Sequence, residues 1–246
     1  MTKTNRQKHS TRTLKVVGHR GARALAPENT VASIYKALEH GVDEIEIDAR
    51  ITKDGAVVVH HDRDLQDHTT ARYDIRKHTY AELVQLKPDL ARLEEAIEAV
   101  NRKVPLQIEI KWGELTIPVV RVLDIYLSKG WHENDFLIGS KKQSTLMEIH
   151  RSLPSIPKVV IEPFSGVRAG IRARQLGTKR ISMRWWWLWS FFISSVSRRG
   201  YQLYAYSLND PKRARRWAAY GLAGVITDYP NRFQRATIKV RSSKNK

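Results

Sequence analysis

The chain has 246 residues with 41% hydrophobic and 28% charged side chains, no cysteine and a formal net charge of +18. That balance supports one sizeable core and excludes disulfides, thiolate metal centres and cysteine nucleophiles. The N-terminus has the charge of a secretory n-region without an apolar h-region, and no apolar run reaches the roughly 18 residues of a membrane span, so a cytoplasmic, non-integral protein is expected.

Five cations fall in residues 1–15 and six in residues 232–246, with no acid in either stretch. Residues 1–13 and 232–246 are therefore read as basic tails around a body spanning 14–231. Such tails are either solvated arms or adhesive toward anionic lipid or nucleic acid. Within the body, strands are predicted near 14–19, 43–48, 56–61, 105–110, 135–139, 157–162, 180–185, 201–207 and 224–227. Helices are predicted at 30–40, 91–101, 115–129, 141–152, 166–176, 188–199 and 210–220, with a shorter one near 79–86. For the first helix, Asn29 is the expected cap, Val31, Ile34, Tyr35 and Leu38 the expected apolar face, and Gly41 the terminator. Alternating β and α segments imply a parallel sheet covered by helices. The expected fold is a single-domain α/β TIM-type (β/α)8 barrel. Nine strand candidates exceed eight, so one is an extra hairpin strand or no strand at all, and 157–185 is the least regular region.

Side chains alternate faces along a strand. Glu44, Glu46 and Asp48 therefore oppose Ile45 and Ile47, while Gln107, Glu109 and Lys111 oppose Leu106, Ile108 and Ile110. His19 follows Val17 in phase, and His61 follows Val57 and Val59. All these polar groups come late in their strands, at the catalytic face of a β/α barrel. Taken singly, each has a bland reading: a packed histidine, an ion-pair ladder along 46–48, or a Glu109–Lys111 pair. Together, three inward carboxylates at one end of a barrel repel one another unless a cation or bases neutralise them. A hard divalent cation with oxygen ligands is the economical answer. Gly21 and Gly55 are read as turn residues, and Asp62 either orients His61 or caps a turn.

The motifs His19-Arg20-Gly21-Ala22, Pro27-Glu28-Asn29-Thr30, Glu46-Ile47-Asp48, Thr52-Lys53-Asp54-Gly55, His61-Asp62, Ile108-Glu109-Ile110-Lys111 and Gly224-Val225-Ile226-Thr227-Asp228 follow in order along the chain. This series resembles the glycerophosphodiester phosphodiesterases, barrel enzymes related to the phosphatidylinositol-specific phospholipases C. The resemblance implies that Glu46, Asp48 and Glu109 bind Mg²⁺ or Ca²⁺, that His19 and His61 form the acid/base pair, and that Arg20 binds phosphate. Lys111 is placed to add a point charge. The implied reaction is hydrolysis of a small-molecule glycerophosphodiester to sn-glycerol 3-phosphate and an alcohol. The attacking group is either the glycerol 2-hydroxyl or water.

Several features depart from the family's pattern. Asp67-His68 precedes Thr69-Thr70 where an arginine is common, the segment Ala71 to Ala91 is short, and Tyr206 stands where tryptophan is common. A short cap leaves an open mouth, so a lysophospholipase D-like enzyme at a membrane surface is an alternative. A non-catalytic basic barrel binding lipid or nucleic acid is another, although retention of both histidines and all three carboxylates argues against it. No specific nucleic-acid partner is expected, because basic-aromatic interleaving is confined to one stretch. That stretch, Trp185-Trp186-Trp187-Leu188-Trp189, reads either as a strand entering a core helix or as an aromatic anchor on an anionic membrane. Three consecutive tryptophans cannot share one face of a strand, so at least one is expected in a loop or solvent.

Overall fold

Alternation of apolar and polar residues separates the two faces of a closed sheet. In the computed structural model, which describes residues 14–66, 69–111 and 116–233, eight parallel strands form that sheet. They are β1 (Lys15–His19), β2 (Glu44–Ile51), β6 (Leu106–Ile110), β7 (Phe136–Ser140), β8 (Lys158–Ile161), β9 (Arg180–Arg184), β10 (Gln202–Tyr206) and β11 (Gly224–Thr227). Pairing runs β1-β11-β10-β9-β8-β7-β6-β2, and a β1–β2 ladder closes the ring. The connecting helices are α1 (Val31–Glu39), α3 (Leu93–Val100), α4 (Thr116–Ser128), α5 (Gln143–Ser152), α6 (Gly166–Gln175), α7 (Ser190–Arg198) and α8 (Pro211–Ala218). The fold is a single (β/α)8 barrel, as the element order implies. Its main core lies between the rings, where Ile45, Ile47, Ile108, Phe136 and Ile138 on the outer strand faces are fully buried with helix residues such as Ile34, Ile97 and Leu123.

The ninth strand candidate is the hairpin strand. β3 (Val57–Val59) runs antiparallel to the end of β2, with Ala49 opposite Val59. It stops at Val59, short of the expected 61. A hairpin of β4 (Asp64–Gln66) and β5 (Arg72–Asp74) and the short helix α2 (Tyr80–Leu86) complete this excursion. Val58, Leu65, Ile75, Leu83 and Leu90 give it a small core of its own. The β4–β5 pair is absent from the sequence reading because three-residue strands carry too few alternations to register.

Other details differ as well. α1 is capped by Thr30, whose hydroxyl accepts from Ser33 N, and not by Asn29. Asn29 sits at φ 58 and turns its amide elsewhere. Tyr35 is 54% exposed and lies off the apolar face, whereas Gly41 does follow the helix at φ 66. β9 ends at Arg184, so the tryptophans leave the sheet in a 3-10 turn over Trp185–Trp187. Trp186 and Trp187 are exposed, as the impossibility of one shared face requires. Phe233 is buried in the main core, so packing continues two residues past the expected boundary at 231. The predicted tails over 1–13 and from 234 onward lie outside the described residues.

The lower end of the barrel is closed by charge. Arg180 donates from Nη1 to Glu44 Oε1 at 3.0 Å and from Nη2 to Oε2, while Lys15 Nζ lies 3.0 Å from Oε1. Arg180 also stacks over the Tyr204 ring at 4.0 Å. Gly224 makes room for that ring, because a Cβ there would stand 2.4 Å from it. Burial pushes the Glu44 carboxyl up, but Arg180 and Lys15 outweigh it and hold the group below the usual carboxylate range.

Glu44→Ala is expected to lower unfolding free energy by about 3–5 kcal/mol in urea titrations, because it leaves the buried Arg180 charge uncompensated. The loss is largest above the unfolded carboxyl's value near about 4.3 and shrinks as pH falls through the lower native value.

Candidate active site

At the upper, C-terminal ends of the strands, register does the assembling. His19 is the partner of Glu46 across β1–β2, and Asp48 is the partner of Glu109 across β2–β6. His61 arrives just past β3, and Arg20 and Lys111 follow their strands. All seven residues singled out from the sequence, His19, Arg20, Glu46, Asp48, His61, Glu109 and Lys111, line one cavity of about 300 Å³. Arg23, Lys141, Arg184, Trp186 and Tyr206 also border it.

Its floor is acidic. Glu46, Asp48 and Glu109 are buried, and each offers an oxygen within 4.8 Å of the others. Lys111 Nζ lies 2.6 Å from Asp48 Oδ1 and 2.7 Å from Glu109 Oε1. Arg20 Nε is 3.2 Å from Asp48 Oδ2, and its Nη1 is 2.6 Å from Glu28. Glu46 Oε2 accepts from the backbone N–H of Arg20 at 3.0 Å. Burial and the neighbouring Asp48 together push the Glu46 carboxyl up. Burial acts the same way on Asp48, but Lys111 and Arg20 outweigh it and hold that carboxyl well below the usual range. Glu109 Oε1 is buried and lacks a well-directed hydrogen bond despite the nearby ammonium. Three carboxylates thus share Lys111 and Arg20, the latter also serving Glu28, with the half-exposed Lys141 ammonium 3.5 Å from Glu109 Oε1. A hard cation fits this all-oxygen donor set and would relieve Glu46 and the orphaned Glu109 oxygen. Lys111 is engaged by carboxylates in this geometry, so it acts on the floor first and reaches a phosphate only from there.

Both histidines are backed by a carboxylate. His19 Nδ1 donates to Asp228 Oδ1 at 2.6 Å, and Asn209 Nδ2 holds the other oxygen of Asp228 at 2.8 Å. Ser207 Oγ lies 3.2 Å from the same ring nitrogen. His61 Nδ1 faces Asp62 Oδ1 at 2.7 Å, which resolves the two readings of Asp62 in favour of orienting the ring. In each case the carboxylate engages Nδ1. Arg50 fixes the His61 backbone, donating from Nε to its carbonyl at 3.1 Å and again from Nη2. Burial lowers the His61 imidazole, only partly offset by Asp48.

Asp228, Asn209, Arg50 and Asn29 were not singled out as site residues. Asn29 donates from Nδ2 to Asp48 Oδ2 at 3.0 Å and accepts from Asp48 N at 3.1 Å, locking the β2 end against the loop after β1. Its left-handed backbone, tolerated by asparagine better than by most residues, is what frees the amide for that task. Asp228 had two available signals, its place just beyond an apolar strand end and its position closing the motif Gly224-Val225-Ile226-Thr227-Asp228. Arg50 had none, because its role is to hold a main-chain carbonyl.

The sequence profile described as the glycerophosphoryl diester phosphodiesterase family matches residues 19–232. A glycerophosphodiester phosphodiesterase of Caldanaerobacter subterraneus is 25% identical over 228 residues, covering 87% of this chain and 94% of that protein. A human lysophospholipase D is 25% identical over 269 residues, covering 89% and 85%. Among solved structures, a phosphodiesterase of Oleispira antarctica in complex with the product sn-glycerol-3-phosphate superposes with a TM-score of 0.81 at 26% identity, covering 89% of this chain and 95% of that one.

Asn29→Ala is expected to cost about 1–3 kcal/mol in denaturant unfolding, because it strips a buried carboxylate of a hydrogen bond. Asn29→Asp is expected to cost more, since it sets a second negative charge against Asp48.

Proposed function

The chain belongs to the glycerophosphoryl diester phosphodiesterase family, and we propose that it hydrolyses glycerophosphodiesters to sn-glycerol 3-phosphate and an alcohol, with a divalent cation and two histidines. The observation that carries this reading is the joint presence, around one cavity, of two carboxylate-backed imidazoles and three buried carboxylates. Glu46, Asp48 and Glu109 would hold Mg²⁺ or Ca²⁺. When bound, the ion neutralises phosphoryl charge and lowers the pKa of a neighbouring hydroxyl.

This chain's own groups supply the rest. The Arg20 guanidinium, held by Glu28 and Asp48, offers a planar fork to phosphate oxygens. One imidazole takes the attacking hydroxyl's proton on Nε2, while the other gives its proton to the departing alkoxide. The scheme is the same whether the attacking oxygen is the glycerol 2-hydroxyl, giving a cyclic phosphate that water then opens, or water itself. Asp228 and Asp62 act through the histidines: each fixes a tautomer and stabilises the imidazolium that forms.

A second reading, cleavage of lysophospholipids, is favoured by the apolar side of the cavity. Trp186, Ile161 and Tyr206 line the same cavity as the polar floor, and Trp186 is 54% exposed. An acyl-bearing diester would lay its chain along that side.

Purified protein is expected to release glycerol 3-phosphate from glycerophosphocholine when Mg²⁺ or Ca²⁺ is supplied, and to stop with EDTA or with Glu46→Ala. His19→Ala or His61→Ala is expected to lower kcat by about 10²–10⁴-fold. Asp228→Asn, a positioning change, is expected to lower kcat by about 100-fold with little change in KM. Absence of release with either metal, or full activity in EDTA, would contradict the proposal. Turnover of lysophosphatidylcholine alone would select the second reading.

A further inference from the structure

One aromatic surface extends from the cavity rim well beyond the reacting groups. Trp186, Trp187, Trp189 and Phe191 are exposed at 54%, 46%, 56% and 72%. The start of α6 adds Phe164, Val167 and Ile171, at 56%, 77% and 52%. Val167 and Ile171, four residues apart on α6, share one helical face, and Phe164 sits just ahead of the helix. The two groups form one surface. The Phe164 and Trp187 rings meet edge-on at 6.2 Å, and Trp189 packs on Phe192 at 5.3 Å. A Cβ at Gly166 would stand 2.3 Å from Phe192, so the starts of α6 and α7 are in close contact. Leu188 and Ile193 point inward and are buried. They anchor the segment, which leaves the tryptophans as a rigid outward rim.

From residue 163 to residue 209 the sequence has eight Lys or Arg residues and no Asp or Glu; Arg168 and Arg172 pair with Glu162 and Arg180 with Glu44, which leaves Arg174, Lys179, Arg184, Arg198 and Arg199 to set the charge of this surface. Arg184 stacks on both Phe164 and Trp186, at 5.5 and 5.1 Å, and Arg213 stacks on Trp185 at 4.5 Å. Cations held against indole faces are suited to the headgroup zone, where indoles prefer to lie and where phosphates need partners. Arg174, Lys179, Arg198 and Arg199, all exposed, sit at the far ends of α6 and α7 or just beyond. Arg174 lies about 4.5 Å of helix rise beyond Ile171 and Arg198 about 10 Å beyond Phe191, so these cations flank the rim and add to its field.

We propose that the rim formed by Phe164, Val167, Ile171 and Trp186–Phe191 is a docking surface for an anionic lipid bilayer, seating the mouth of the catalytic cavity against the headgroup layer. Trp186 belongs to both the rim and the cavity wall, so docking through this surface brings the cavity to the membrane. Because the rim lies in the folded body, the proposal differs from adhesion by the basic tails. It goes beyond the diesterase reading and does not depend on it, since lipid binding is read without turnover.

Tryptophan fluorescence with vesicles of equimolar phosphatidylcholine and phosphatidylglycerol provides the test, using phosphatidylcholine with brominated acyl chains as quencher. The tails contain no tryptophan, so tails alone give cosedimentation without quenching. The full chain is expected to cosediment and to be quenched. Trp187→Ser/Trp189→Ser/Phe191→Ser is expected to partition about tenfold or more weakly and to lose the quenching, while keeping wild-type turnover of glycerophosphocholine. Val167→Asp/Ile171→Asp, on a separate helix, is expected to do the same and guards against misfolding of the first variant. Cosedimentation without quenching, or quenching unchanged in both variants, would overturn the proposal. So would a dimer in sedimentation velocity that both variants dissolve, since the rim would then be covered by a second copy of the chain.

Discussion

Three carboxylates buried at one end of a parallel barrel set the terms for everything around them. Isolated ionised groups are costly to bury, and here Glu46, Asp48 and Glu109 lie within reach of one another on two adjacent strands. The surroundings show the compensation. Lys111 bridges two of the three, Arg20 and Asn29 hold Asp48, and Glu46 is pushed toward its protonated form. That compensation is incomplete among the described side chains, which is the electrostatic case for a divalent cation. The opposite end of the same barrel shows the closed alternative, with Glu44 held by Arg180 and Lys15.

The barrel makes this economical because strand register converts sequence position into spatial position. His19 is set beside Glu46 and Asp48 beside Glu109 by the ladders alone. The remaining groups come from loops and are tied down by hydrogen bonds and ion pairs. Arg50 grips the His61 carbonyl, and Asn209 fixes Asp228, which in turn orients His19. The two imidazoles are therefore held in the same manner, each by a carboxylate on Nδ1, although one stands on a barrel strand and the other just past a hairpin. This shared arrangement suits a reaction in which the two rings exchange roles as donor and acceptor.

Much of this was legible in the sequence because the signals were periodic. Alternation along 44–48 and 106–111 gave the inward face, and the strand ends gave the site residues. The closed barrel followed from β/α order, and the ninth strand proved to be the hairpin strand β3. What escaped were features without a period. The left-handed Asn29 exchanged a capping role for a hold on Asp48. Arg50 binds a main-chain oxygen, which no spacing reveals. Tyr35 falls outside the buried stripe of α1, and the β4–β5 hairpin is too short to show alternation. The tryptophan run was ambiguous for a related reason: Leu188 and Ile193 supply the core contact, and their neighbours are left to face outward.

We propose Glu46, Asp48 and Glu109 as one binding site for a divalent cation. Electron paramagnetic resonance of Mn²⁺ titrated into the protein tests it without recourse to activity, with Asp48→Asn and Glu109→Gln measured beside wild type. The account predicts one tight Mn²⁺ per chain in wild type, competed by Mg²⁺ or Ca²⁺ and lost in both variants. Failure of wild type to bind Mn²⁺, or tight binding that survives both substitutions, would contradict it.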